Sequence, residues 1–197
     1  MAIPIEEAFS TIAARRRDEL VITSAGTSSE VWWKTTGDTE QTFYLEASMS
    51  LSTLFAAGIA MSYPEARVWA FLGDGAFVMN TGMLFVERAL ALPNLVSIVI
   101  ANRCYGSVGG VALPDAAAID VAAVARAAGV ARVAEFRTMA ALSQDFDAAF
   151  GAKEPTLIVL DAALPQKSYG SPPLDGPELK YRFGRALERR FGRTVLA

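Results

Sequence analysis

The sequence predicts an α/β protein: a three-layer, doubly wound, mainly parallel sheet with helices on both faces. Short apolar runs at Leu20–Thr23, Val68–Leu72, Leu95–Ala101 and Thr156–Asp161 alternate with longer stretches of helical periodicity. Between Gly75 and Asn102 lie 26 residues, room for one crossover helix joining two parallel strands. Apolar residues make up 52% of the chain, ample for a sheet covered on both sides.

Ile5, Ala8, Phe9, Ile12 and Ala13 share one helical face, predicting a helix over 5–17. Leu20–Thr23 reads as a short strand, and Ser24-Ala25-Gly26-Thr27-Ser28-Ser29-Glu30 as a loop running into a helix start. Hydroxyls beside a helix start suit a phosphate, but an ordinary N-cap is the reading the residues alone favour. Thr35–Thr42 is polar and turn-rich. Phe43-Tyr44-Leu45 then leads into Glu46-Ala47-Ser48-Met49-Ser50. The next helix, Leu51–Met61, is small and apolar on nearly every face, which predicts burial, often at an interface.

Val68–Leu72 is a strand ending in Gly73-Asp74-Gly75. Met79–Leu92 is the expected crossover helix, stopped by Pro93, and the strand Leu95–Ala101 ends at Asn102. Gly106–Gly110 reads as a mobile loop. Asp120 and Thr138 are placed to cap helices at 121–128 and from 139, the second carrying the stripe Met139, Leu142, Phe146, Phe150. Ala131–Glu135 and Thr156–Asp161 are the last strands. Ala162–Pro173 is a linker. Asp175 and Glu178 form a capping-box pattern before a helix whose Leu179, Phe183, Leu187 and Phe191 make an apolar seam. The expected organisation is a domain over 1–165 and a C-terminal arm and helix over 166–197.

Net charge is −3 with no long basic run, which argues against a nucleic-acid partner. No apolar run approaches 18 residues and the N-terminus lacks a signal-like core, so the expectation is a cytoplasmic protein with no membrane segment. One cysteine, Cys104, excludes a disulfide or zinc site within the chain. There is no histidine, so any imidazole acid or base comes from another chain.

The chemistry centres on Asp74 and Asn102. Two adjacent parallel strands would set them side by side at carboxyl ends, where open α/β sheets bind ligands. Glycines beside Asp74 allow close approach of a phosphate. A carboxylate, an amide oxygen and a backbone carbonyl are hard ligands suited to Mg²⁺ together with diphosphate oxygens and water.

At these positions the chain resembles the thiamine diphosphate (ThDP) enzymes, and among them the sulfopyruvate decarboxylase β subunits and phosphonopyruvate decarboxylases. Gly73-Asp74-Gly75 and, after the gap, Asn102-Arg103-Cys104-Tyr105-Gly106-Ser107 carry the resemblance, which spans roughly Val21–Asp161. It implies that Asp74, Asn102 and the Cys104 carbonyl hold Mg²⁺. It implies that Thr27, Ser28, Gly73, Gly75, Ala76, Tyr105, Gly106 and Ser107 border the diphosphate. Ala47, Ser48 and Met49 would meet the pyrimidine ring: the Ala47 carbonyl accepts from the 4′-amino group, and Met49 holds the cofactor bent. The sequence departs from the resembling enzymes at Ala47 and Ser50, which replace glycines, at Ser29, which replaces arginine, and at Ala101 and Arg103. Arg103 could face diphosphate, substrate or partner.

The resemblance implies a ThDP/Mg²⁺-dependent 2-oxo acid decarboxylase. The glutamate that activates the pyrimidine would lie on a separate pyrimidine-domain (α-type) subunit, because this chain is too short to carry both domains. A hetero-oligomer such as α2β2 or larger is expected, inactive as the single chain. Glu46 is an internal candidate that matches no carboxylate of the resembling enzymes. Two alternatives stay open: a carboligase subunit similar to acetolactate synthase, and a non-catalytic regulatory or scaffold subunit with a decayed site.

Overall fold

The structure is a computed structural model and describes residues 2–46, 48–164, 169–173 and 175–196. In order the elements are β1 (Ile3–Pro4), α1 (Ile5–Arg15), β2 (Leu20–Ser24), α2 (Thr27–Thr36), β3 (Thr42–Leu45), α3 (Ser52–Ser62), β4 (Val68–Gly73), α4 (Asp74–Met79) and α5 (Met83–Leu90). Then follow β5 (Leu95–Ala101), β6 (Cys104–Tyr105), β7 (Val111–Ala112), α6 (Val121–Ala127), β8 (Arg132–Phe136), α7 (Met139–Phe150), β9 (Thr156–Ala163) and α8 (Gly176–Phe191).

Strands pair in the order β1-β9-β5-β4-β2-β3, with β8 also on β9, and every pairing in this sheet is parallel. Because side chains alternate across a strand, the sheet feeds two layers. Val21, Trp69, Phe71, Ile98 and Ile158 face α1, α2 and α7, where Phe9, Trp32 and Phe146 close one core. Ile22, Val68, Ala70, Leu72 and Val99 face the opposite way, under α3, α4, α5, α6 and α8. The strands are buried on both sides, as a sheet covered by crossover helices requires. The chain winds outward from β2 to β3, then returns to place β4 on the other side of β2. The crevice between β2 and β4 is therefore the topological switch point.

Three expectations are corrected. The crossover helix predicted over 79–92 is two helices, with Gly-Asp-Gly at the head of the first. Asn80 leaves helical geometry (φ −143°), its amide donates to the Ser50 carbonyl at 3.3 Å, and α5 restarts at Met83. The end of α5 is set by Ala91 at φ 48°, before Pro93 is reached. Gly106–Gly110, read as a mobile loop, is the whole turn of an antiparallel β6–β7 hairpin, with a short 3-10 turn at Gly106–Val108. The helix 51–61 is buried on only one face; Leu51, Phe55 and Met61 are exposed.

The two sequence-read N-caps hold: Asp120 accepts from the Ala123 N–H and Thr138 from the Ala141 N–H. Asp175 caps α8 through the Glu178 N–H, but the Glu178 side chain pairs with Arg182, so the capping box is half made. The seam of α8 is covered from within this chain: Phe183 packs edge-on to Phe43 at 5.5 Å, and Phe191 meets Tyr63 at 4.6 Å. No helix among the described residues is long and apolar enough to cross a membrane.

Candidate functional site

Gly73 pairs with Ile100 in the β4–β5 register, so Asp74 and Asn102 leave the sheet at nearly the same level. Asp74 opens α4 and is 2% exposed. Its Oδ1 accepts from the Gly75 N–H at 2.9 Å, and its Oδ2 from the Arg103 N–H at 2.5 Å. These bonds tie the Gly-Asp-Gly turn to the turn after β5. Asn102 Oδ1 accepts from the Cys104 N–H at 3.1 Å. Each Asp74 oxygen has a lone pair to spare, and the second acceptor position of Asn102 Oδ1 takes only the Cys104 thiol, a weak donor, at 3.4 Å. Burial raises the Asp74 carboxyl above its ordinary range, opposed by the Arg103 and Gly75 N–H groups and the Arg103 charge. A divalent cation beside it would favour the carboxylate further.

A cavity opens over this pair. Its walls come from the β2–α2 turn (Gly26, Thr27, Ser28), from Met49, from Gly73, Gly75 and Ala76, and from Asn102, Cys104, Tyr105, Gly106, Ser107 and Val108. Three of its glycines are close-packed. A Cβ on Gly75 would stand 2.6 Å from the Tyr105 ring. One on Gly106 would meet Thr27 Oγ1 at 2.6 Å and Leu164 at 2.7 Å, and one on Gly26 would meet Ser107 Oγ at 2.9 Å. The β2–α2 turn and the β6–β7 hairpin thus face each other across the crevice, with Thr27 of one set against Gly106 of the other and Ser107 against Gly26.

Eleven of the fourteen sequence-predicted residues line this cavity. Ser48 does not; it lies in the turn before α3. Asp74 sits beneath the wall, and Ala47 lies outside the described residues. Ser28 is buried and gives its hydroxyl to the Ser24 carbonyl at 3.1 Å, so its side chain is committed to the turn. The N-cap position itself is Gly26, at φ 104°, with no side-chain cap. Thr27 Oγ1 is therefore not spent on capping. Ser24 Oγ is buried and unpartnered at the same strand end. Arg103 turns away: its guanidinium pairs with Asp161 at 2.8 Å, at the end of β9. Cys104 is buried, and burial followed by the Asp74 charge raises its thiol pKa.

Sequence reasoning missed Ala25, Gly26, Ile100 and Val108 as wall residues. The signal for Gly26 was there, a glycine immediately before a helix that starts on two hydroxyls. Glu46 lies near Ser29 and Glu30, with one carboxyl oxygen buried and unpartnered, and burial raises its pKa. It does not line the cavity.

The family described as thiamine pyrophosphate enzyme, C-terminal TPP binding domain, matches residues 24–160. The sulfopyruvate decarboxylase subunit beta of Methanothermobacter thermautotrophicus is 35% identical over 62% of this chain and 65% of its own length. That of Methanococcus maripaludis is 28% identical over 87% of this chain and 91% of its own. The phosphonopyruvate decarboxylase of Streptomyces viridochromogenes is 32% identical over 76% of this chain but 37% of its own length. The match thus spans less than two thirds of the first and the third. In fold, the chain is similar to the X-ray structure of a protein assigned as a thiamin diphosphate-dependent enzyme from Mycobacterium smegmatis. The TM-score is 0.69 at 23% identity, over 83% of this chain and 32% of that one.

Proposed function

This chain belongs to the thiamine pyrophosphate enzymes through their C-terminal TPP-binding domain, and on that premise we propose that it is the β-type subunit of a 2-oxo acid decarboxylase. In this reading it holds the diphosphate and Mg²⁺ of ThDP, while a partner subunit supplies the pyrimidine-activating glutamate. The observation that carries the reading is the placement of Asp74 and Asn102 at adjacent strand ends, beneath a cavity bordered by close-packed glycines.

The residues present fit the group. Asp74 and Asn102 offer a carboxylate and an amide oxygen, and the Cys104 carbonyl is the third ligand proposed. Among the described residues no cluster of three or more acidic, Cys or His side chains exists. That suits an ion completed by phosphate oxygens and water, as Mg²⁺ prefers. Gly26, Gly75 and Gly106 let Ser107, Tyr105 and Thr27 pack closely around the cavity, and the start of α2 offers N–H groups and the Thr27 hydroxyl to an anion. Tyr105 covers Gly75, and Met49 provides an apolar, adaptable wall. When bound, ThDP supplies a carbon nucleophile and an electron sink for cleaving the bond beside a carbonyl.

The partner reading draws support from the surface next to this cavity. α3 and α4 spring from the turns that border it, and with α5 they expose Leu51, Met61, Met79, Phe85 and Val86. An apolar surface of that kind marks an interaction site. Sulfopyruvate and phosphonopyruvate are the first substrates to assay, by the names of the relatives.

The test is a calorimetric titration of ThDP with Mg²⁺ into the chain together with its partner, followed by CO₂ release from either 2-oxo acid. Saturable binding abolished by EDTA is expected. Asp74→Ala should weaken it by more than about 100-fold, the upper end of what losing even an outer-shell partner costs a metal site. Binding that ignores both EDTA and Asp74→Ala would remove the reading.

A further inference from the structure

α3 carries a stripe that this chain leaves uncovered. Leu51, just before the helix, then Phe55, Gly58 and Met61 are all exposed and recur at helical spacing. Ala56, Ala57 and Ala60 hold the opposite side on the sheet. No residue of α3 is charged.

Gly58 is the anomaly in this stripe. It stands near the middle of the helix, and a Cβ built on it would meet nothing within 4 Å. Glycine is the poorest helix former after proline. Neither a positive φ nor a close neighbour in this chain calls for one at this position. Gly26, Gly75 and Gly106 differ, since each is pressed by a side chain of this chain. What a bare backbone on an exposed helix face provides is room for another backbone to come close. Helix axes pack about 8–10 Å apart according to the side chains at the contact, and glycine admits the short end.

The stripe belongs to a larger apolar surface. Thr53 Oγ1 donates to Met83 Sδ at 3.0 Å, joining α3 to α5. Met79 on α4 and Phe85 and Val86 on α5 are exposed by more than a third, as are Leu51, Phe55 and Met61. Together these six leave on the order of 500 Å² of apolar side chain in water. That is as much as the largest patch on a typical monomer, and over half of what one partner brings to a stable interface. Met49 of the cavity wall precedes the first turn of α3, and Gly58 lies about 9 Å along the axis from Ser52. A subunit seated on this surface is held close to the cavity.

We propose that an apolar, uncharged helix of the pyrimidine-domain subunit crosses α3 at Gly58, its backbone resting on the glycine between Phe55 and Met61. The crossing, which rests on the reading that such a subunit completes the site, sets how near the cavity that subunit sits.

The test is sedimentation velocity of the native chain, Gly58→Ala and Gly58→Leu, each alone and mixed with the pyrimidine-domain subunit. Gln144→Leu, at an exposed position of α7 on the far side of the sheet, is the control. In circular dichroism melts of the single chain, Gly58→Ala should lie above the native chain and Gly58→Leu no lower, because the space is open and both are better helix formers. Assembly should move the other way: Gly58→Leu at least about tenfold weaker, Gly58→Ala weaker by less, and Gln144→Leu unchanged. Should Gly58→Leu fail to fold, Gly58→Ala decides. Melting of Gly58→Ala below the native chain would place the use of the glycine inside this chain and overturn the crossing. So would a native chain that pairs with itself and loses that pairing in Gly58→Leu, which would put a second copy on the stripe. A native complex that Gly58→Leu joins equally well would overturn the crossing alone, whereas no complex with the native chain would remove the partner reading along with it.

Discussion

Ser50 and Arg103 stand where the resembling enzymes carry glycine, and both hold a left-handed backbone, at φ 78° and 64°. A non-glycine residue there costs roughly 1–2 kcal/mol, against the ~0.5–1 kcal/mol of chain freedom that glycine forfeits. Ser50→Gly should accordingly stabilise the chain by about 0.5 kcal/mol in urea unfolding. Arg103→Gly should come out near neutral, because it also gives up the largely exposed pair with Asp161, worth less than about 1 kcal/mol. Equal gains from both would mean the pair contributes nothing. At Gly75 the sign reverses: a methyl group would strike the Tyr105 ring at 2.6 Å, so Gly75→Ala should sharply weaken ThDP binding in the same calorimetric titration. At this scale the adjacency of Asp74 and Asn102 was readable, because each follows a strand and a single crossover joins the two strands. The sequence was silent on Arg103, whose partner lies 58 residues away on β9, and on Glu87, which reads as a solvated helix charge until α5 is packed on β5.

The corner between α2 and β3 shows what holds an element end in place. Asp38 Oδ2 receives Arg16 at 2.7 Å and the Thr42 hydroxyl at 2.8 Å, while Oδ1 receives the Glu40 and Gln41 N–H groups. Trp32 Nε1 in turn donates to Thr42 at 3.0 Å, and Tyr44 donates to the Asp38 carbonyl. Burial works to raise the Asp38 carboxyl, but Arg16, the Gln41 N–H and Thr42 outweigh it, and its pKa is lowered. A lowered carboxylate contributes stability above its unfolded value, and that contribution is lost as pH falls through the folded one. Asp38→Asn should therefore cost about 2–3 kcal/mol at pH 7, below the full cost of breaking a buried pair because Asp38 is partly exposed. The gap to the native chain should narrow below about pH 4 in urea titrations. A gap independent of pH would place the effect in shape alone. Strands and caps were legible here because periodicity and short-range hydrogen bonds are local signals. The break between α4 and α5 was not, since it depends on Asn80 reaching the Ser50 carbonyl 30 residues back.

For the whole molecule, the alternation of strands and helices was enough to give the three layers, because parallel neighbours need crossovers and crossovers cover faces. What sequence could not separate was buried apolar surface from surface awaiting a partner. Leu51–Met61 reads as apolar all round, yet α3 buries Ala56, Ala57 and Ala60 and leaves Leu51, Phe55 and Met61 outside. Phe85 on α5 is 60% exposed and Met79 on α4 is 59% exposed. α3 follows the turn that carries Met49, α4 opens on Asp74 and α5 follows α4 after Asn80, so a subunit seated on them would border the proposed cofactor cavity. The seam of α8 supplies the contrast, since Phe183 and Leu187 are already covered and Tyr181, on the outer face, is 54% exposed with the Lys180 ammonium over its ring. Phe85→Glu should thus leave the melting of the isolated chain unchanged but weaken assembly with the partner by at least ~2 kcal/mol, about 30-fold, the cost of losing an aromatic anchor. Tyr181→Glu should leave assembly untouched. Sedimentation of the mixed subunits reads both. If Phe85→Glu still assembles while Tyr181→Glu does not, the proposed partner would sit over α8, and the glutamate proposed for it would have to reach the cavity from another side.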